Sequence, residues 1–341
     1  MTIQEYLDRV NQRYKTGILT EDTFREDLKN LLETIAPDVL ITYEPAWVAC
    51  GAPDYIITNR NIPIGHIEAK DIGKSLESHE YKEQLDLYKR SLSNLIITDH
   101  LEFHLYRDGE FMSSVSIAEP QNGQIISKPE TFKSLKDLVR DFCKHTCLNI
   151  SSAPKLAKMM AGKARLLAYV IENALIQDSE TTNSLKESLA ASKYVLIGDV
   201  SPKDFADIIA QTVSYGLFAA RLYGSGIADF SRQKVPELIP EANFILRKLF
   251  QYLAGDELDK RLKWITDAFT DIFRTTDLAT LLEDFGKTAQ QNNPLINFHV
   301  NFLDEYDPKL RKNQGESYAT EPIVRFISQA VDDCLSSNHF E

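Results

Sequence analysis

Residues 51–70 read GAPDYIITNRNIPIGHIEAK. Two short apolar segments flank Asn59-Arg60-Asn61, whose composition is that of a turn, so the stretch reads as two neighbouring strands. Asp54 stands at the first strand, and Glu68 and Lys70 at the end of the second. Side chains alternate faces along a strand, so Glu68 and Lys70 point the same way. Pairing of the two strands brings Asp54 beside them. Two carboxylates and an ammonium converging at a sheet edge suit a hard divalent cation next to a phosphodiester. The carboxylates hold the ion, the ion polarises the phosphate and acidifies a bound water, and the lysine orients that water or neutralises charge. The plain alternative is a solvated hairpin whose charges form surface pairs worth little.

Outward from this stretch the pattern is regular. Residues 21–35 place Phe24, Leu28, Leu31, Leu32 and Ile35 at helical spacing, with Thr20 in position to cap the helix. Residues 40–49, 55–58 and 62–69 have strand character. Residues 74–92 read as a helix with Tyr81, Leu85, Tyr88 and Leu92 along one stripe, and 94–98 (NLIIT) as a short, wholly apolar strand. Segments 101–107 and 111–117 flank Asp108-Gly109, a hairpin turn signal. The order is therefore helix, three strands, helix, strand and hairpin.

That order, with the Asp54 and Glu68-x-Lys70 spacing, resembles the αβββαβ core of the PD-(D/E)xK nucleases. Gln84 and Tyr88, in QLDLY, resemble the QxxxY motif of some branches of that superfamily, and a spacing of four puts both on one helical face. Tyr88 reads equally well as a core residue. The resemblance implies an α/β restriction-endonuclease-like domain over residues 1–150. It implies that Asp54 and Glu68 bind metal with the backbone carbonyl of Ala69. Lys70 then positions or activates the attacking water, and Gln84 supports the site. The implied cofactor is Mg²⁺, with Mn²⁺ as a substitute. Glu21 is a further candidate metal ligand, though a first-turn glutamate is also what the helix dipole favours.

After residue 150 the strand patterns almost vanish. Helical patterns cover 155–177, 182–193, 206–222, 242–253, 258–272 and 278–290, and Ser201-Pro202 is a helix start with serine as cap. Residues 151–300 thus read as an all-α helical domain without a catalytic constellation, sustained heptads or internal repeat. Residues 302–324 resemble the entry to the methyltransferase domain of single-chain restriction–modification enzymes of types IIG and ISP. Gly315, Tyr318, Glu321 and Pro322 match that motif, whereas Ala319-Thr320 stands where Thr-Pro is usual. The plain alternative is a polar loop capping a helix over 321–334. There is no NPPY or DPPY tetrapeptide, and Asn292-Asn293-Pro294-Leu295 lacks the aromatic that stacks a flipped base. Residues 301–341 are accordingly expected to begin a truncated N6-adenine methyltransferase domain. S-adenosylmethionine then belongs to the full-length protein alone, and this chain does not methylate DNA.

Composition bounds the rest. Hydrophobic residues at 43% and charged residues at 26% are ordinary for a globular protein. No apolar run reaches the roughly 18 residues of a membrane span, and MTIQEYLDRV is no secretory signal. Cys50, Cys143, Cys147 and Cys334 are too few for a disulfide framework. Cys143 and Cys147 flank His145, but no second pair follows at zinc-finger spacing, so they read as free thiols in a helix and the compartment as cytoplasmic. The net charge of −12 divides into −7 over residues 1–150, −1 over 151–300 and −4 over the last 41. No segment is a basic arm that neutralises phosphates wholesale.

The sequence therefore reads as the divalent-metal-dependent DNA endonuclease portion of a restriction–modification enzyme. Its expected partners are double-stranded DNA, a second copy meeting it on DNA, and the remaining methyltransferase and target-recognition domains of a parent chain, with no membrane. The alternative is a non-catalytic DNA-binding or coupling module on a vestigial nuclease fold. An isolated helical interaction protein leaves Asp54, Glu68, Lys70 and Gln84 unexplained.

Overall fold

The computed structural model describes residues 1–17, 24–43, 52–59, 62–145, 150, 152–177, 200–224, 230–241, 244–255, 258–274, 276–287 and 294–309. Thr20, Glu21, Arg60, Asn61, Cys50, Cys147, Cys334, Asn292 and Asn293 lie outside these residues. So do the expected helix at 182–193 and the segment from 310 onward with Gly315, Tyr318, Ala319, Thr320, Glu321 and Pro322.

The first helix, α1 (Ile3–Tyr14), starts at a capping box in which Thr2 and Glu5 satisfy each other's backbone amides. It turns Ile3, Tyr6, Leu7 and Val10 inward. The second, α2 (Arg25–Ile35), buries Leu28, Leu31, Leu32 and Ile35, the predicted stripe. Asp27, only 2% exposed, ties the two helices together by ion pairs to Arg9 at 3.1 Å and Arg13 at 2.7 Å. The N-cap position of α2 is Phe24, which makes no side-chain cap.

Six strands follow: β1 (Leu40–Tyr43), β2 (Tyr55–Asn59), β3 (Ile62–Ala69), β4 (Asn94–Thr98), β5 (Glu102–Arg107) and β6 (Glu110–Ser116). They lie side by side in chain order. Every neighbouring pair is antiparallel except β3 and β4, which are parallel and joined by helix α3 (Lys82–Ser91). A parallel pair needs such a crossover. From α2 to β6 the order of elements is the predicted one, and α1 precedes it as a helix the sequence reading does not include. Asp108 and Gly109 make the β5–β6 turn with φ of 48° and 92°, the left-handed pair a tight hairpin needs.

Three details differ from the sequence reading. The crossover helix starts at Lys82 rather than at residue 74. Gly73 takes a φ of 82°, and the Ser75 and Ser78 hydroxyls accept from the amides of Glu77 and Glu80, holding the chain in turns that compete with a helix. β3 is the third strand of six, so Glu68 and Lys70 lie at a strand end inside the sheet and not at its edge. Finally, a hairpin of β7 (Ala118–Gln121) and β8 (Gln124–Ser127) and helix α4 (Phe132–Lys144) follow β6. Cys143 is a free thiol on α4.

The sheet is covered on both faces. On one, Tyr55, Ile57, Ile67, Ile96, Phe103 and Leu105 pack with α1, α2 and α4. Gly65 permits this approach, since a Cβ there would meet the Phe142 ring at 2.4 Å. Asn94 fixes it by donating to the carbonyls of Ile64 and Phe142 at 2.8 and 3.0 Å.

On the other face, Leu85, Tyr88, Leu95, Ile97 and Tyr106 share a core with the helical half of the chain. That half comprises α5 (Ala153–Gln177), α6 (Pro202–Tyr223), α7 (Val235–Leu238), α8 (Phe244–Ala254), α9 (Lys260–Arg274), α10 (Leu278–Lys287) and α11 (Pro294–Tyr306). Ser201 caps α6 with Pro202 at its first position, as the sequence predicts. Phe218 of α6 stacks on Phe298 of α11 with centroids 4.1 Å apart. Among the described residues no helix is long and apolar enough to cross a membrane.

Gly162 of α5 packs closely against the end of α3. A Cβ there would stand 3.0 Å from Ser91 Cα and 3.2 Å from its carbonyl oxygen. Backbone cannot yield as a side chain can, so Gly162→Val is expected to cost about 1–3 kcal/mol. A lowered melting temperature by circular dichroism would show it; an unchanged one would mean that α5 and α3 are not packed this tightly.

Candidate active site

The β2–β3 register pairs Tyr55 with Ile67, which sets Asp54 next to Glu68. The Asp54 amide donates to Glu68 Oε2 at 3.3 Å, and the Ala69 amide donates to Asp54 Oδ2 at 2.8 Å. Lys70 continues from β3, its amide bonded to the Thr98 carbonyl at 2.7 Å across the parallel pair. Alternation returns its side chain to the face of Glu68, and Nζ donates to Glu68 Oε1 at 2.6 Å. Glu68 and Lys70 are 3% and 5% exposed, so this is a buried pair and not the ornament of a solvated hairpin.

Helix α3 closes the site from above. Gln84 Oε1 accepts from Lys70 Nζ at 3.1 Å, and Gln84 Nε2 donates to Tyr88 Oη at 3.1 Å. One helical turn separates Gln84 from Tyr88; the ammonium, a donor only, selects the Oε1 end of the amide, and the buried phenol oxygen receives the other. The predicted motif pair is thus a chain from the core through Tyr88 and Gln84 to the ammonium. The Tyr81 ring adds a wall, with Lys70 Nζ 4.7 Å from its centroid. Asp54, Glu68, Lys70 and Gln84 are therefore brought together. Ala69 meets Asp54 through its amide.

Three contributors are not evident in the sequence. Arg25, the first residue of α2, donates from Nη2 to Asp54 Oδ1 at 2.8 Å. Its only sequence signal is that it is a cation inside the acidic run of residues 21–27. Tyr55, buried beside Asp54, donates to the Arg25 carbonyl at 3.2 Å. His100, at the β4–β5 turn, holds a φ of 74° in a buried position, a backbone a non-glycine residue adopts only when its surroundings enforce it. Its ring lies 5.2 Å from that of Phe24, and its carbonyl accepts from Tyr6 Oη at 3.0 Å.

The electrostatics are those of two carboxylates taken out of water, each beside one cation. Burial pushes the Glu68 carboxyl up to about 8, and the neighbouring Asp54 charge adds to the shift against the pull of Lys70. Burial likewise raises Asp54, although the Ala69 amide and Arg25 oppose it. Tyr88 stays a neutral phenol because burial disfavours its ionisation. Among the described residues no group of three or more His, Cys, Asp or Glu side chains could hold a metal, and the carboxylates that meet here are Asp54 and Glu68. Two carboxylates suit Mg²⁺, which keeps several of its waters.

No known protein family and no curated protein matches the sequence. Among solved structures the chain is similar to one in the cryoEM structure of a DrdV–DNA complex, at 17% sequence identity and a TM-score of 0.34. The likeness takes in 99% of this chain and 32% of that one, so the present chain spans about a third of its length.

Proposed function

We propose that the chain is a divalent-metal-dependent DNA endonuclease that hydrolyses phosphodiester bonds, built on a PD-(D/E)xK-type domain and forming the nuclease part of a larger restriction–modification enzyme. The observation that carries this reading is the buried Glu68–Lys70 pair abutting Asp54 at the ends of adjacent strands. Removing such charges from water costs several kcal/mol per ion by order of magnitude, and well-packed apolar residues would serve stability as well or better. Two buried carboxylates beside an oriented ammonium are a place where a bound cation would displace the proton and stabilise the ionised pair.

Asp54, Glu68 and the Ala69 carbonyl would hold Mg²⁺, or Mn²⁺ in its place. When bound, the ion supplies a Lewis acid for the phosphate and a water of lowered pKa. Lys70 holds its proton toward Glu68 and Gln84 and presents positive charge where the attacking water and the phosphate meet. Gln84, locked by Tyr88, keeps the ammonium from turning away. Attack of the water oxygen on phosphorus forms one P–O bond as the bond to the leaving sugar oxygen breaks; the attacking water gives up a proton to solvent, and the leaving oxygen takes one from solvent. S-adenosylmethionine chemistry, target recognition and a second copy for cutting the other strand belong to the assembled enzyme and its parent chain.

The test is supercoiled plasmid incubated with the chain and Mg²⁺ or Mn²⁺. Open-circular product that disappears with EDTA is expected. Plasmid left intact by folded protein with either ion would favour a non-catalytic DNA-binding or coupling module.

A further inference from the structure

Asp54 already has a cation beside it. The Arg25 guanidinium lies 2.8 Å from Oδ1, with the two side chains 12% and 13% exposed. Nothing local favours an arginine there. A helix N-terminus carries partial positive charge and prefers anions, and the rest of the first turn is acidic, with Glu26 and Asp27. Its placement is nonetheless firm. The Arg25 carbonyl is held by Tyr55, the residue that follows Asp54. Phe24, on its other side, packs against His100, whose carbonyl is tied to Tyr6. The end of α2 is thus fixed relative to Asp54 from both sides, and the guanidinium is presented to Oδ1. Asp54 cannot turn away from it without breaking the Ala69 amide bond to Oδ2.

We propose that Arg25 is a resident counter-ion of this site: it neutralises Asp54 when no divalent ion is bound, competes with that ion for Asp54, and so sets the metal affinity. The inference rests on Asp54 and Glu68 being the metal-holding pair proposed above. An opposite charge at this range changes a carboxylate's affinity for a proton by about one to three powers of ten. The same competition acts on any other cation, so removing the guanidinium should tighten divalent-ion binding roughly tenfold or more.

The experiment titrates Mn²⁺ into the full chain without DNA, following free Mn²⁺ by electron paramagnetic resonance, for the parent, R25Q and D54N. R25Q is expected to bind Mn²⁺ at least about tenfold more tightly than the parent, with D54N losing the site. Mn²⁺ should also raise the melting temperature of R25Q by more than that of the parent. If R25Q does not fold, R25M, which keeps the aliphatic stem, serves the same comparison. Equal or weaker binding in a folded variant overturns the proposal, as does absence of Mn²⁺ binding in both parent and variant. The nuclease reading fails separately: a parent protein that binds Mn²⁺ through Asp54 but leaves plasmid intact removes that reading and keeps the role of Arg25.

Discussion

Replacing Lys70 by alanine is expected to abolish metal-dependent nicking of plasmid while the protein stays folded. The Lys70 ammonium is held by Glu68 Oε1 at 2.6 Å, Gln84 Oε1 at 3.1 Å and the Tyr81 ring at 4.7 Å. A charge positioned in advance like this stabilises a transition state without reorganising at the moment of reaction, and losing one such group typically lowers the rate by about 10²–10³. The fold has less at stake. The Lys70 amide keeps its bond to Thr98, and the β3–β4 ladder runs through backbone groups. Breaking a buried ion pair costs roughly 3–5 kcal/mol when the remaining charge is stranded. Glu68 avoids much of that cost by taking a proton, which its environment already favours. Nicking rates with a circular-dichroism melt of the same preparation decide the matter. Nicking at the parental rate by well-folded K70A would take Lys70 out of the mechanism.

Much of this site was legible because short-range geometry sets it. Alternation along β3 puts Glu68 and Lys70 on one face, and a spacing of four puts Gln84 against Tyr88. Asp108-Gly109 fixes the β5–β6 hairpin for the same reason, since the positive φ values are a local demand. What escaped depends on contacts between segments distant in sequence. Arg25 lies 29 residues from Asp54, and only the docking of α2 against β2 brings them together. The burial of Lys70 depends on α3 and on the helical half behind it, which no periodicity reveals. The start of α3 was misplaced because Ser75 and Ser78 look tolerable in a helix until their hydroxyls bond to nearby amides. Asn122-Gly123, with φ of 50° and 73°, carries the signal for the β7–β8 hairpin, but its strands, AEPQ and QIIS, are too short and polar to show alternation.

Relative to E68Q, the metal-free protein is expected to lose stability as pH rises from about 4.5 to about 8. In the unfolded chain the Glu68 carboxyl gives up its proton near its ordinary value of 4.5, whereas burial and the Asp54 charge hold the proton in the folded chain to about 8. Between these values the folded state binds more protons than the unfolded one, so unfolding becomes easier as pH rises. The contribution is complete below about 4.5 and gone above about 8. At about 1.36 kcal/mol per unit, a shift in this direction is a large share of a domain's stability. Glutamine in place of Glu68 keeps the size and an acceptor for the Asp54 amide but has no proton to lose, so the difference between the two proteins isolates the Glu68 contribution from those of the buried His66 and His100. A divalent ion should restore at pH 8 what the parent loses, because it binds the ionised carboxylates of the folded state alone. Urea denaturation of both proteins between pH 5 and 8.5, in EDTA and then in Mg²⁺, measures each arm. Parallel slopes for the parent and E68Q in EDTA would mean that the Glu68–Asp54 repulsion is already compensated within the chain, by Lys70 and Arg25 together.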